Sequence, residues 1–240
     1  MKTSNKILLV AAAIPVLLFI GVSIFLKVAF ENSVYSDVEG FDPEKLISKE
    51  YDFKGCNKLF FNGAWDIKIV KGSDCHVEVS APETVINFIS VQNIGNELFL
   101  NQLSGDLKSD DGYALKVEIT IPAATDIVLT GACRLNVSDF VQDSLAIDAN
   151  GAIQLSISNA NLTDLDLKGK GVAEWDLSKA SVVNAHVDYD GKFSIALYIN
   201  GGKLSGVLDG VGTLTYTGEA DTIDMKMKNP LSKIVHQKVL

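Results

Sequence analysis

Arginine is almost missing: Arg134 is the only one in 240 residues. That scarcity removes the bidentate forks that usually grip phosphate or carboxylate groups. After Lys27, eighteen basic residues face thirty acidic ones, a net of −12. A domain so charged repels a phosphate backbone, which excludes nucleic acid as a partner. Histidine and cysteine are also scarce, with three of each. His76, His186 and His236 fall at no metal-ligand spacing, so no metal site is expected. Cys56, Cys75 and Cys133 make an odd count without the spacing of a disulfide-built miniprotein. Cys56 and Cys75 could bridge in an oxidising compartment, although nothing in their spacing asks for it. Cys133 falls in an apolar register and reads as a small buried hydrophobe. Amphipathic helices are missing too. Beyond Tyr51 only TVINFISVQ (84–92) is ambiguous between helix and strand.

One long apolar run is present. Residues 7–26, ILLVAAAIPVLLFIGVSIFL, carry no charge, and fourteen of them are Leu, Ile, Val or Phe. Twenty helical residues span about 30 Å, the thickness of a bilayer core. Gly21-Val22-Ser23 could serve as a signal-cleavage site, but the run is longer than a usual signal core. An uncleaved transmembrane anchor is therefore the expectation. Lys2 and Lys6 precede it and Glu31, Asp37, Glu39 and Asp42 follow, which leaves the amino terminus cytoplasmic and exports the rest.

The remainder alternates with a period of two, as in LFFNGAWDIKIV (59–70), HVEVS (76–80), ELFL (97–100) and LKVEITIP (115–122). From residue 127 onward it also repeats. TGACRL, NGAIQL, KGVAEW, DGKFSI and DGVGTL place glycines at 131, 151, 171, 191 and 210. A period of about twenty residues signals stacked repeats. Four residues after each glycine stand Leu135, Leu155, Trp175, Ile195 and Leu214; six after stand Val137, Ile157, Leu177, Leu197 and Tyr216. Counted from the glycine as zero, odd positions are mostly polar, such as Arg134, Gln154, Glu174, Ser194 and Thr213 at plus three.

Asn-Gly and Asp-Gly between alternating apolar residues ordinarily signal a hairpin. A two-residue hairpin turn would switch the apolar columns from even to odd positions. No switch occurs, so each glycine is read as a bend within a coil of parallel strands. The expected fold is all-β: a right-handed β-solenoid with rungs of about twenty residues, preceded by one transmembrane helix. Residues 1–30 form the cytoplasmic stub and anchor, 31–50 a polar tether, 51–230 the solenoid domain and 231–240 a capping tail. Asn229-Pro230 is expected to end the ladder.

FNGAWDIKIVKG (61–72), the Ile-Pro strand ending in VEITIPAATDIVLTGA (117–132) and the turns TGACRL and NGAIQL together resemble the head GIN domain family, associated with autotransporter adhesins. KGVAEW and DGKFSI match less closely, with Val172 and Lys192 where the family has alanine. The resemblance spans about 51–230. It implies a β-helix-like domain on an exported, envelope-associated protein, and it brings no catalytic residues.

Three outward columns carry side chains capable of chemistry. Five residues before each glycine lie Asp126, Ala146, Asp166, His186 and Ser205, which would set Asp166, His186 and Ser205 side by side in the order of a hydrolytic triad. A solvated polar column accounts for them equally well. Three before lie Val128, Asp148, Lys168, Asp188 and Val207, a pattern of cross-rung ion pairs rather than a calcium cage. Asp190 and Asp209 read as exposed turn acids. No catalytic, cofactor-binding or metal-binding residue is assigned. The expected role is non-enzymatic: adhesion-like or structural contact at the cell envelope, with hydroxyl-lined faces and Tyr198 available to a glycan or an envelope protein. The alternative is a glycan-binding or glycan-active β-helix protein.

Overall fold

A computed structural model describes residues 46–83, 85–103 and 115–238. The anchor at 7–26 and most of the tether lie outside the described residues. Among the described residues no helix is long and apolar enough to cross a membrane.

The described chain is almost entirely strand. In order it forms β1 (Leu46–Phe53), β2 (Lys58–Lys71), β3 (Cys75–Pro82), β4 (Ile89–Ile94), β5 (Glu97–Gln102), β6 (Leu115–Ile121), β7 (Asp126–Ser138), β8 (Val141–Asn200), β9 (Lys203–Glu219), β10 (Thr222–Met227) and β11 (Ser232–His236). The ambiguous segment at 84–92 resolves into one short 3₁₀ turn, Ile86–Phe88, followed by β4. Two boundaries differ from the sequence reading. Strand β1 begins at Leu46, so the last residues of the expected tether are paired to β3. Asn229-Pro230 interrupts the ladder without ending it, because β11 resumes parallel pairing with β9. The proline sits in a bend where no ladder N–H is needed; there the Leu231 N–H donates to Asn229 Oδ1 at 2.9 Å.

Parallel pairing dominates. Strand β2 pairs with β7, β7 with β8 and β8 with β9, and glycine stands opposite glycine at 63/131, 131/151 and 191/210. The offset is twenty residues between β7 and β8 and nineteen between β8 and β9. Strand β8 is 60 residues long because its bends do not break the ladder. The strands between β3 and β6 fold back to the far edge of β2. There β5 and β6 both run parallel to it, against its first and second halves, and β1, β3 and β4 are added antiparallel.

The face assignments hold through the bends. Ile127, Leu129, Cys133, Leu135 and Val137 are all buried, and so are Leu165, Leu167, Ala173, Trp175 and Leu177. Gly63, Gly131, Gly151, Gly171 and Gly191 have φ between +113° and +135°, so each bends the strand without exchanging its faces. Asp139 and Asn159, twenty residues apart, make a second corner at φ 70° and 51°, a conformation that short polar side chains tolerate.

Cys56 and Cys75 are joined in a disulfide across 5.9 Å of Cα separation, while Cys133 is free and buried. The odd count therefore masked a genuine pair. Cys56 lies just before β2 and Cys75 opens β3, so folding brings two strand starts together. Burial pushes the Cys133 thiol up to about 12, which makes it inert. Replacing both Cys56 and Cys75 with alanine is expected to lower stability by about 3 kcal/mol, the closure entropy of a loop of this length. The urea unfolding midpoint, compared with that of the unchanged chain, measures it.

Candidate functional site

The outward columns carry the polar chemistry. Their spacing follows from the ladder, which sets residue i beside i+20, or beside i+19 between β8 and β9. Along one column Asp66, Arg134, Gln154 and Glu174 join in series. The Arg134 Nη1 to Asp66 Oδ2 distance is 3.9 Å; Arg134 Nε donates to Gln154 Oε1 at 2.8 Å, and Gln154 Nε2 to Glu174 Oε2 at 3.5 Å. The single arginine thus ties three rungs together on the surface.

His186 and Ser205 are ladder partners, as the column predicts, and Ser205 Oγ lies 3.1 Å from His186 Nδ1. The acid at the other end is not Asp166. His186 Nε2 faces Asp188 Oδ2 at 3.2 Å, and Asp188 Oδ1 accepts the Val207 N–H at 2.9 Å. Asp166 is held instead by Lys168, whose Nζ lies 2.7 Å from Oδ2. That hydrogen bond, reinforced by the charges of Asp166, Asp188 and Asp148, raises the Lys168 pKa. The ion pair in this column therefore forms along one strand rather than directly across rungs. The second oxygen of Asp166, Oδ1, is buried without a hydrogen-bond partner among the described residues.

Only the Ser205 contact of His186 is a hydrogen bond; Asp188 lies at ion-pair distance without hydrogen-bond alignment, so the chain of hydrogen bonds that a triad needs is broken at the acid. Acyl transfer also needs donors aimed at a developing oxyanion. The Val207 N–H is already given to Asp188. The surrounding hollow, about 500 Å³, is lined by Asp126, Asp166, Asn184, His186, Lys203 and Ser205. Leu145, Leu165 and Ala185 line it as well, so the hollow combines apolar surface with a few acceptors and hydroxyls.

Asp190 and Asp209 are neighbours in register, and each is answered by a lysine: Lys170 at 3.7 Å and Lys228 at 3.7 Å. Among the described residues no three metal-ligating side chains converge. Tyr198 is half-buried rather than exposed and borders a second hollow of about 480 Å³ with Asn159, Lys179 and Ser181. The sequence reading missed Asp188 as the partner of His186; the two-residue alternation that puts 186 and 188 on one face was the available signal.

Residues 56–229 match the family model described as "Putative auto-transporter adhesin, head GIN domain". No curated protein matches. Among solved structures, a putative adhesin from Bacteroides fragilis is similar at 18% identity with a TM-score of 0.61, covering 81% of this chain and 98% of its own. A putative adhesin from Parabacteroides merdae aligns at 15% identity and a TM-score of 0.42, over 82% of this chain and 98% of that one. A putative lipid binding protein from Parabacteroides distasonis aligns at 12% identity and 0.46, over 82% and 98%. The glycine bends, the Ile-Pro strand and the parallel ladder from β2 to β9 all fall within the matched span, and the chain belongs to the head GIN domain family.

Proposed function

We propose that this chain is a membrane-anchored, exported β-solenoid that acts by contact rather than catalysis, in an adhesin-like or structural role at the cell envelope. One observation carries the reading: successive windows stack glycine on glycine, which turns the side chains an odd number of residues from each glycine into continuous polar columns on the outside. Such a surface suits extended contact with a glycan or an envelope protein. The uncharged run at 7–26 supports an anchor, with the amino terminus on the cytoplasmic side. The Cys56–Cys75 disulfide suits an oxidising compartment. A right-handed winding follows the general preference of parallel crossovers.

A second reading, glycan binding, rests on the hollow around His186. The unpartnered Asp166 Oδ1 is an acceptor that a sugar hydroxyl could satisfy, next to Ser205 and Lys203.

Cells displaying the full chain should be retained on a glycan array or on partner cells several-fold more than cells without it. Asp166→Asn combined with Ser205→Ala should abolish glycan retention where the hollow is the site, and leave it unchanged where the columns make the contact. Equal retention with and without the chain, on both surfaces, would sink the contact reading.

A further inference from the structure

The C-terminal end of the ladder is unfinished. Strand β10 lies in register on β9, with Ile223 opposite Leu204, Met225 opposite Gly206 and Met227 opposite Leu208. Leu204 and Leu208 are fully buried, yet Ile223 and Met227 in the same inner columns are 48% and 52% exposed. Among the described residues, β10 pairs only with β9. The core columns therefore run out onto a surface. The backbone is open there as well. Thr222 and Lys228 donate their N–H groups back to Gly202 and Leu208. By the two-residue period of a strand, the N–H and C=O groups of Ile223, Met225 and Met227 point away from β9.

We infer that this end is an interface between two copies of the chain, formed by antiparallel pairing of β10 with β10 of a second copy, centred on Met225. The sequence TIDMKM is self-complementary in that register. Met225 meets Met225 of the second copy, and Ile223 meets Met227 of the second copy, all on the inner face. Asp224 meets Lys226 of the second copy on the outer face. The residues that pair are those whose backbone groups point off the edge, so the register also satisfies the free donors and acceptors. Slipping by two residues would oppose Lys226 to Lys226 or Asp224 to Asp224, and slipping by one would bring inner side chains against outer ones. Asp224 already has Lys203 at 2.9 Å, but its side chain is 59% exposed and can take a second lysine. A two-fold interface of this kind closes on itself, so it covers the β10 edge of both copies without propagating into a filament.

Cysteine replacement in the full chain, in detergent, tests the register. Directly paired residues in such a ladder have Cα atoms about 5.5 Å apart, within disulfide reach. After mild oxidation, Met225→Cys should run mostly as a covalent dimer on a non-reducing gel. Val141→Cys, more exposed and far along the chain, should stay monomeric. In the unoxidised chain, Lys226→Glu should raise the dimer dissociation constant roughly tenfold, because two attractive pairs become repulsive. Adding Asp224→Lys to Lys226→Glu should restore it. A monomeric wild-type chain would overturn the inference. So would Met225→Cys that dimerises no more than Val141→Cys, as expected where the chain's own residues outside the described span cover this end, or a Lys226→Glu chain that dimerises as well as the unchanged one.

Discussion

Replacing Gly151 with alanine is expected to cost about 4 kcal/mol or more, seen as a fall in Tm of roughly 8–16 °C for a domain of this size. Two independent penalties combine. Gly151 has φ +130°, a backbone conformation that a β-carbon strongly disfavours. The new methyl would also point into the carbonyl of Gly131 on the rung before, with that residue's carbon and nitrogen close behind. Backbone cannot swing aside as a side chain can, because Gly131 is itself locked in the ladder with Gly63 and Gly151. Gly95→Ala is the comparison. Its φ is +66°, but a β-carbon there meets nothing within 4 Å. Only the conformational penalty remains, about 1–2 kcal/mol. Thermal melts of the two variants separate crowding from conformation. Equal losses would show that the glycine column is not held by close backbone approach.

That contrast shows what the sequence could and could not disclose. The glycine period and the unbroken parity of the apolar columns were sufficient to reject hairpins and to read parallel pairing with a twenty-residue offset. Both depend only on spacing along the chain. The flank was less legible. Strands β5 and β6 together occupy one edge of β2, but a dozen residues separate them, and neither carries the glycine that marks the other windows. The disulfide was hidden because Cys133 made the count odd.

At the candidate site, spacing placed His186 beside Ser205 correctly and chose the wrong carboxylate. Asp166 and Asp188 both neighbour His186, one across the ladder and one along the strand. Lys168, on the strand that holds Asp166, draws that carboxylate away. Such a choice depends on which lysine reaches which acid, and column reading gives no information on it. The same holds for the C-terminal end: TIDMKM reads as one more window, and only the absence of a described strand above it reveals an unfinished core.

The interior holds the second large effect: Trp175→Ala should lower stability by about 3–5 kcal/mol. Two core columns thin out near this ring, with Gly169 where neighbours have Ala149 and Tyr189, and Ala173 between Ile153 and Phe193. These small residues are the space that the tryptophan fills. A β-carbon on Gly169 would approach Trp175 at 2.9 Å and Tyr189 at 2.6 Å. Trp175 meets Tyr189 edge-on with ring centroids 5.2 Å apart, and Tyr189 in turn meets Phe193 at 5.6 Å. One rung further on, Gly212 sits against the ring and backbone of Phe193. Volume is conserved across rungs rather than within a column, so deleting the indole opens a void that no neighbour can close.

Trp175→Phe should behave quite differently. The indole Nε1 is buried with no acceptor among the described residues, a desolvation cost that phenylalanine removes. Lost ring area offsets part of that gain, leaving a net change within about 1 kcal/mol. Trp65→Phe has no such relief, because Trp65 Nε1 donates to the Asn62 carbonyl at 3.0 Å. Urea midpoints should therefore rank Trp175→Phe closest to the unchanged chain, Trp65→Phe below it and Trp175→Ala lowest. A Trp175→Phe loss as large as that of Trp65→Phe would mean the Trp175 N–H contributes a hydrogen bond after all, and that the ring is held by polarity rather than by fit.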